Sequence, residues 1–184
     1  DIKDNFEETL LLIWKRRIEN DKINQLVSRS GLSYRYVNLL RAYTKYIIQL
    51  DFPYSREFIY KVLCKHPNLS KLLVDYFDAK FNPTLKAPER EDECRHIENK
   101  IKYALNKVNA VAEDRIINQI WDTINATLRT NFYQIDDEGK SKDYISYKID
   151  CKKVPFMPKP KPFAEIFVFS YEMEGVHLRG GKVA

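Results

Sequence analysis

The sequence predicts a mainly α-helical chain with a β tail, an α+β arrangement of about six helices followed by strands. Apolar residues recur at helical spacing up to Leu128, and beyond it the period shortens to two. Four of the eight prolines then fall within residues 155–162, where neither helix nor interior strand can run. A boundary near Thr130 divides a helical bundle, residues 1–130, from a β-rich segment, residues 131–184.

Phe6, Leu10, Ile13, Trp14 and Ile18 are spaced as one face of a helix. Asn20 and Asp21 weaken it, and Ile23, Leu26 and Val27 resume the pattern until Gly31, which reads as a left-handed cap. Ser33 is the N-cap of the next helix, whose buried face is Tyr36, Leu39, Leu40, Tyr43, Ile47 and Leu50. Ser55 caps a shorter helix presenting Phe58, Ile59, Val62 and Leu63. That helix stops before His66-Pro67, because the residue preceding proline disfavours helix.

Leu69, Leu72, Leu73, Tyr76, Phe77 and Phe81 form a further face, closed by Asn82-Pro83. The next helix opens on Glu89, Glu91, Asp92 and Glu93, where the helix dipole favours anions. Its stripe is Cys94, Ile97, Ile101, Ala104, Leu105 and Val108, and Glu98 and Lys102 are placed to pair. Ile116, Ile117, Ile120, Trp121, Ile124 and Leu128 define the last helix.

Residues 131–135 read as a strand and residues 136–143 as a polar turn. From Ile145 the alternation of Ile145, Tyr147, Ile149 and Cys151 with polar residues predicts a strand buried on one face. The prolines make a stiff, extended lead-in to residues 166–169, a continuous apolar run that suits a strand covered on both faces. Val176 to Leu178 reads as another short strand, and the basic glycine loop Arg179-Gly180-Gly181-Lys182 follows.

A content of 44% hydrophobic and 31% charged residues excludes disorder and allows a buried core. No apolar run approaches the ~18 residues of a membrane span. Three cysteines without C-x-x-C spacing suit a reduced, cytoplasmic setting. The net charge of +5 gathers after residue 139, with nine Lys/Arg against five Asp/Glu. A nucleic-acid module would carry that charge as a patch on its folded body. The absence of an initial methionine at Asp1 and the stop at Ala184 inside a glycine loop read as cuts in a longer polypeptide.

Cys64, His66, Cys94 and His96 have the composition of a zinc site. Residues two apart on a helix point about 200° from one another, however, so neither C-x-H pair can close on one metal, and no metal is expected. Nothing in sequence beside the cysteines marks a catalytic thiol. The acidic cluster at residues 89–93 reads as a solvated helix start. His177, Arg179, Gly180, Gly181 and Lys182 are the one group with a functional lean. Adjacent glycines admit a ligand close to the backbone, and Arg or Lys beside them holds a carboxylate or phosphate. No G-x-G-x-x-G is present, so dinucleotide binding has no local support.

VPFMPKPKPFAEIFVFS, EGVHLRGGKVA and LRTNFYQ together resemble the large NAD-dependent glutamate dehydrogenases of bacteria. The similarity runs back through GLSYRYVNLLRAYTKYIIQLDFPYSREFIYKVLCKHPNLSKLLVDYFDAKFNP. It implies a parent enzyme that converts L-glutamate, NAD and water to 2-oxoglutarate, ammonia and NADH. It implies that Arg179, Gly180, Gly181 and Lys182 form one wall of the substrate site. The catalytic lysine and aspartate would lie beyond Ala184, and NAD would be held by a later domain rather than by this piece. The expected role is then a structural or regulatory connector, not itself catalytic, with no nucleic acid and no membrane as partner. An unpaired apolar strand edge further predicts a homo-oligomer. The alternative is an independent helical interaction module whose basic proline-rich tail, residues 159–162, binds nucleic acid or a protein partner. The apolar strand behind that tail counts against it.

Overall fold

The computed structural model describes residues 1–182. Seven α-helices come first: α1 (Ile2–Trp14), α2 (Gln25–Ser30), α3 (Tyr34–Gln49), α4 (Arg56–Lys65), α5 (Pro67–Phe81), α6 (Ala87–Leu105) and α7 (Val111–Ala126). Four strands follow, β1 (Thr127–Thr130), β2 (Ile145–Ile149), β3 (Ala164–Phe169) and β4 (Glu174–Arg179). They form one antiparallel meander in the order β1-β2-β3-β4. The fold is mainly α with a β tail, as expected.

Most helix ends obey their local chemistry. Gly31 terminates α2 at φ +69°, where an L side chain is strained. Ser55 Oγ accepts from the Phe58 amide at 3.2 Å. Pro67 sits in the first turn of α5, where its missing N–H costs nothing, so α4 and α5 meet at His66. Glu98 and Lys102 pair at 2.6 Å along α6. Ser33 precedes α3 as expected, but its side chain makes no capping bond.

The expected six helices are seven, because the first pattern breaks into α1 and α2. Arg16, at φ +53°, turns the chain out of the helix before Ile18 is reached. The face predicted to be buried in α1 is also the wrong one. Thr9 is its buried residue, while Phe6, Leu10 and Trp14 lie exposed, Trp14 at 87%. A helical period identifies an amphipathic stripe but does not supply a surface to cover it. Leu12 and Ile13 of α1 are half-buried, and Asn5 Nδ2 donates to the Gly31 carbonyl at 3.3 Å.

Two strand expectations also change. The first strand is Thr127–Thr130, which enters directly from α7, so Leu128 belongs to a strand and is exposed. Residues 131–135 are not a strand. Asn131 ends it by replacing the ladder with its own amide, accepting from the Ser146 N–H at 2.7 Å and donating to the Tyr144 carbonyl at 3.1 Å. In β3, Phe167 and Phe169 are buried, but Ile166 and Val168 are only half covered. The strand is interior within the sheet and covered on one face.

That covered face lies on the helices. Tyr43 of α3 stacks on Tyr147 of β2 at 4.2 Å between ring centroids. Tyr46 packs on Phe167 at 5.5 Å. One continuous core runs through α3, α4, α5 and α7 into β2 and β3. It encloses Arg41, which is fully buried and donates from all three guanidinium nitrogens. Its guanidinium takes both oxygens of Asp21 at 2.7 and 2.8 Å, with Asn38 at 2.6 Å and Asn24 at 2.7 Å.

Candidate functional site

The glycine loop is positioned by the β3–β4 hairpin. Ser170 closes the hairpin turn, its amide donating to the Met173 carbonyl at 2.8 Å and its Oγ accepting from the Met173 amide at 3.1 Å. Ladder register then sets Arg179 opposite Ala164, and the Arg179 carbonyl accepts from the Phe163 amide at 2.8 Å. The loop therefore leaves the sheet at the end where α7 enters β1.

Alternation divides the side chains of β4. Val176, opposite Phe167, and Leu178, opposite Glu165, face the helical side. His177 and Arg179 face the other way, beside Ile166 and Ala164. Arg179 is half-buried, and Gly180, Gly181 and Lys182 are exposed. A Cβ on Gly180 would meet nothing within 4 Å, so no contact among the described residues demands a glycine there. The four predicted wall residues thus lie together on the outermost strand and the turn after it.

The proline segment is folded onto the body rather than trailing from it. Met157 is buried, Phe156 packs edge-on against Phe52 at 5.5 Å, and Lys161 Nζ donates to the Val154 carbonyl at 2.8 Å. Lys159, Pro160 and Lys161 themselves remain exposed.

The cysteine and histidine set is dispersed. Cys64 is buried, its Sγ donating to the Lys22 carbonyl at 3.3 Å, and burial pushes its thiol up to about 11. His66 Nε2 lies 2.7 Å from Glu113, Cys94 is half-buried, and His96 is exposed. Burial likewise pushes the Cys151 thiol up to about 12, which leaves it protonated at neutral pH. No cluster of three or more metal-ligating side chains occurs among the described residues. No helix among them is long and apolar enough to cross a membrane.

One group escaped the reading of the sequence. Arg16, Arg17, Arg35, Lys140 and Lys142 come together around a cavity of about 710 Å³. It lies by Ile145, Val168 and Ser170, at the end of the sheet away from Arg179. The only signal was two basic doublets, Arg16-Arg17 and Lys140-x-Lys142, some 120 residues apart in sequence. A smaller cavity of about 360 Å³ lies between α5 and α6 and is lined by Asp75, Asp78 and Glu93.

A helical layer feeding an antiparallel sheet that ends in a basic glycine loop is matched by two family descriptions of one enzyme class. Residues 100–184 match the family described as bacterial NAD-glutamate dehydrogenase, catalytic domain. Residues 18–83 match glutamate dehydrogenase, helical motif 3. The chain belongs to the bacterial NAD-glutamate dehydrogenase family. It is 41% identical over 97% of its length to the NAD-specific glutamate dehydrogenase of Halomonas elongata. It is 44% identical over 90% to that of Pseudomonas aeruginosa, and 37% identical over 97% to that of Mycobacterium tuberculosis. The chain spans only 10–11% of the length of these relatives.

Proposed function

We propose that the chain is part of a longer NAD-dependent glutamate dehydrogenase that oxidatively deaminates L-glutamate. Glutamate, NAD and water would give 2-oxoglutarate, ammonia and NADH, with hydride passing to NAD. The observation that carries this reading is 41% identity across nearly the whole chain to an enzyme of that name. Within it, we divide the chain near residue 130 into a helical part and a β-rich part; β1 (Thr127–Thr130) lies at that seam, and the catalytic-domain match reaches back to residue 100, within α6. The passage from α7 straight into β1 supports a connector role, since movement of the helices is felt directly by the sheet.

Arg179, Gly180, Gly181 and Lys182 are proposed as one wall of the substrate site. A guanidinium and an ammonium flanking two glycines suit a carboxylate-bearing substrate. The described residues do not fit NAD. Dinucleotide sites use parallel strands joined through a helix whose N-terminus meets the pyrophosphate, whereas this sheet is antiparallel throughout. Hydride transfer also needs a nicotinamide held against the substrate α-carbon with a proton acceptor nearby, groups that the resemblance assigns to the rest of the longer protein.

The strand at residues 166–169, whose edge was expected to be open, is paired on both sides by β2 and β4. The open edge is that of β4, and its exposed Val176 and Leu178 support assembly into a homo-oligomer. A cytoplasmic enzyme acting on small molecules, with neither nucleic acid nor membrane as partner, completes the reading.

The test is direct. Glutamate-dependent NADH formation is measured for this chain and for the longer protein, and NAD is titrated into this chain by calorimetry. Turnover is expected in the longer protein alone, with no NAD binding to this chain tighter than roughly millimolar, about −4 kcal/mol. Turnover by this chain would overturn the non-catalytic assignment. An inactive longer protein would overturn the family activity.

A further inference from the structure

The cavity of about 710 Å³ opens between the end of α1, the start of α3, the loop before β2 and the β3–β4 turn. Five cations line it against two carboxylates, Asp143 and Glu172. Asp143 lies 3.8 Å from Arg17, and Lys140 is paired outside the group with Glu138 at 2.7 Å. Lys142 and Arg35 are both half-buried, and neither has a carboxylate within ion-pair distance among the described residues. Arg35 is instead held by backbone carbonyls, those of Phe132 and Lys142, and lies 4.4 Å over the Phe132 ring.

Arg16, Arg17 and Lys140 are exposed side chains, but the backbone segments that carry two of them have defined conformations. Arg16 is carried in a left-handed backbone conformation at φ +53°, which non-glycine residues seldom adopt. The loop bearing Lys140 is ordered by Asp136, whose Oδ1 accepts from the Glu138 and Lys140 amides at 3.0 and 2.8 Å. Gathering like charges around one concavity raises the free energy of the empty state, and a multivalent anion lowers it. Tyr34, Tyr144 and Tyr171 complete the wall.

We propose that this cavity binds a small molecule carrying a terminal di- or triphosphate. Separate guanidinium and ammonium groups match the several oxygens of such a group better than they match a single carboxylate. The first turn of α3, which contributes Tyr34 and Arg35, adds the positive end of its dipole. The volume falls within the range of small-molecule sites. A nucleic acid would need its cations spread along a stripe rather than gathered around one concavity. The internal pyrophosphate of NAD carries one charge per phosphate, fewer than a terminal diphosphate presents. The assignment is independent of the glutamate reaction and stands if that reaction fails.

Inorganic pyrophosphate and ADP are titrated into the chain by calorimetry at 0.15 M salt, with sulfate at matched ionic strength as control. Pyrophosphate is expected to bind below about 1 mM. The double variant Arg16→Gln, Lys142→Gln is expected to weaken it at least tenfold without lowering the melting temperature of the ligand-free protein. Lys142→Arg, which keeps the charge, is expected to restore most of the affinity when combined with native Arg16. ADP binding tighter than pyrophosphate identifies a nucleotide, and equal affinity identifies an inorganic polyphosphate; either upholds a phosphate site. Sulfate binding as tightly as pyrophosphate, no binding of either probe, or unchanged affinity in the double variant overturns the proposal.

Discussion

The Tyr46 hydroxyl donates a 2.6 Å hydrogen bond to Glu165 Oε2, joining α3 to β3 in the interior. The two residues are 119 apart in sequence, and both are buried. Burial and the neighbouring carboxylate push the Tyr46 hydroxyl far above the ordinary tyrosine range, so it remains a donor at any working pH. Tyr46→Phe leaves the buried carboxyl without this partner and is expected to cost about 1–3 kcal/mol in urea unfolding. A Tyr46→Phe protein as stable as the parent chain would show that the bond contributes nothing net.

The same joint bears on the division near Thr130. Tyr147, Phe167 and Phe169 share one core with Tyr43, Tyr46 and Phe77. A chain ending at Thr130 would uncover that face of α3 and α5. We expect it to keep helical far-ultraviolet dichroism but to lose a cooperative melt. A cooperative transition close to that of the full chain would show that the helices hold a sufficient core alone.

Arg41 is a second buried fastening, between α3 and the segment around Asp21 and Asn24. Arg41→Met removes the guanidinium and leaves Asp21, 16% exposed, without its partner. Breaking such a pair on one side costs about 3–5 kcal/mol. Arg41→Lys is also expected to destabilise, because an ammonium cannot make the planar fork that meets both oxygens. Retention of full stability in Arg41→Lys would mean that charge alone matters here.

Acid sensitivity is expected at the junction of α4, α5 and α7. Hydrogen bonds from Lys65 at 2.6 Å and His66 at 2.7 Å hold the Glu113 carboxyl below the usual range. A carboxyl depressed in the folded state adds stability above its unfolded pKa of roughly 4.3. That stability is lost as pH falls through the lower folded value. The difference in unfolding free energy between the native protein and Glu113→Gln should therefore be steady near neutrality and shrink below about pH 4–5. A difference unchanged down to pH 3 would show that the pair is silent.

What the sequence determined by itself was the order of elements, most of their ends and the family. Gly31, Ser55, Pro67 and Asn82 act within a turn of where they stand, so their effects are visible in the string. The alternation of Ile145, Tyr147 and Ile149 is equally local and correctly marked one buried face. The residues proposed as a substrate wall, Arg179 to Lys182, could be singled out as a group because they are contiguous. The tertiary structure alone decided which amphipathic faces found a partner. The stripe on α1 stayed exposed because no surface among the described residues lies over it, and β3 is covered on one side because the helices occupy only that side. It also decided that Tyr46 meets Glu165, and that Arg16, Arg35 and Lys142 surround one cavity. Those encounters depend on how helices and sheet stack, and residues more than a hundred positions apart carry no mark of it in the chain.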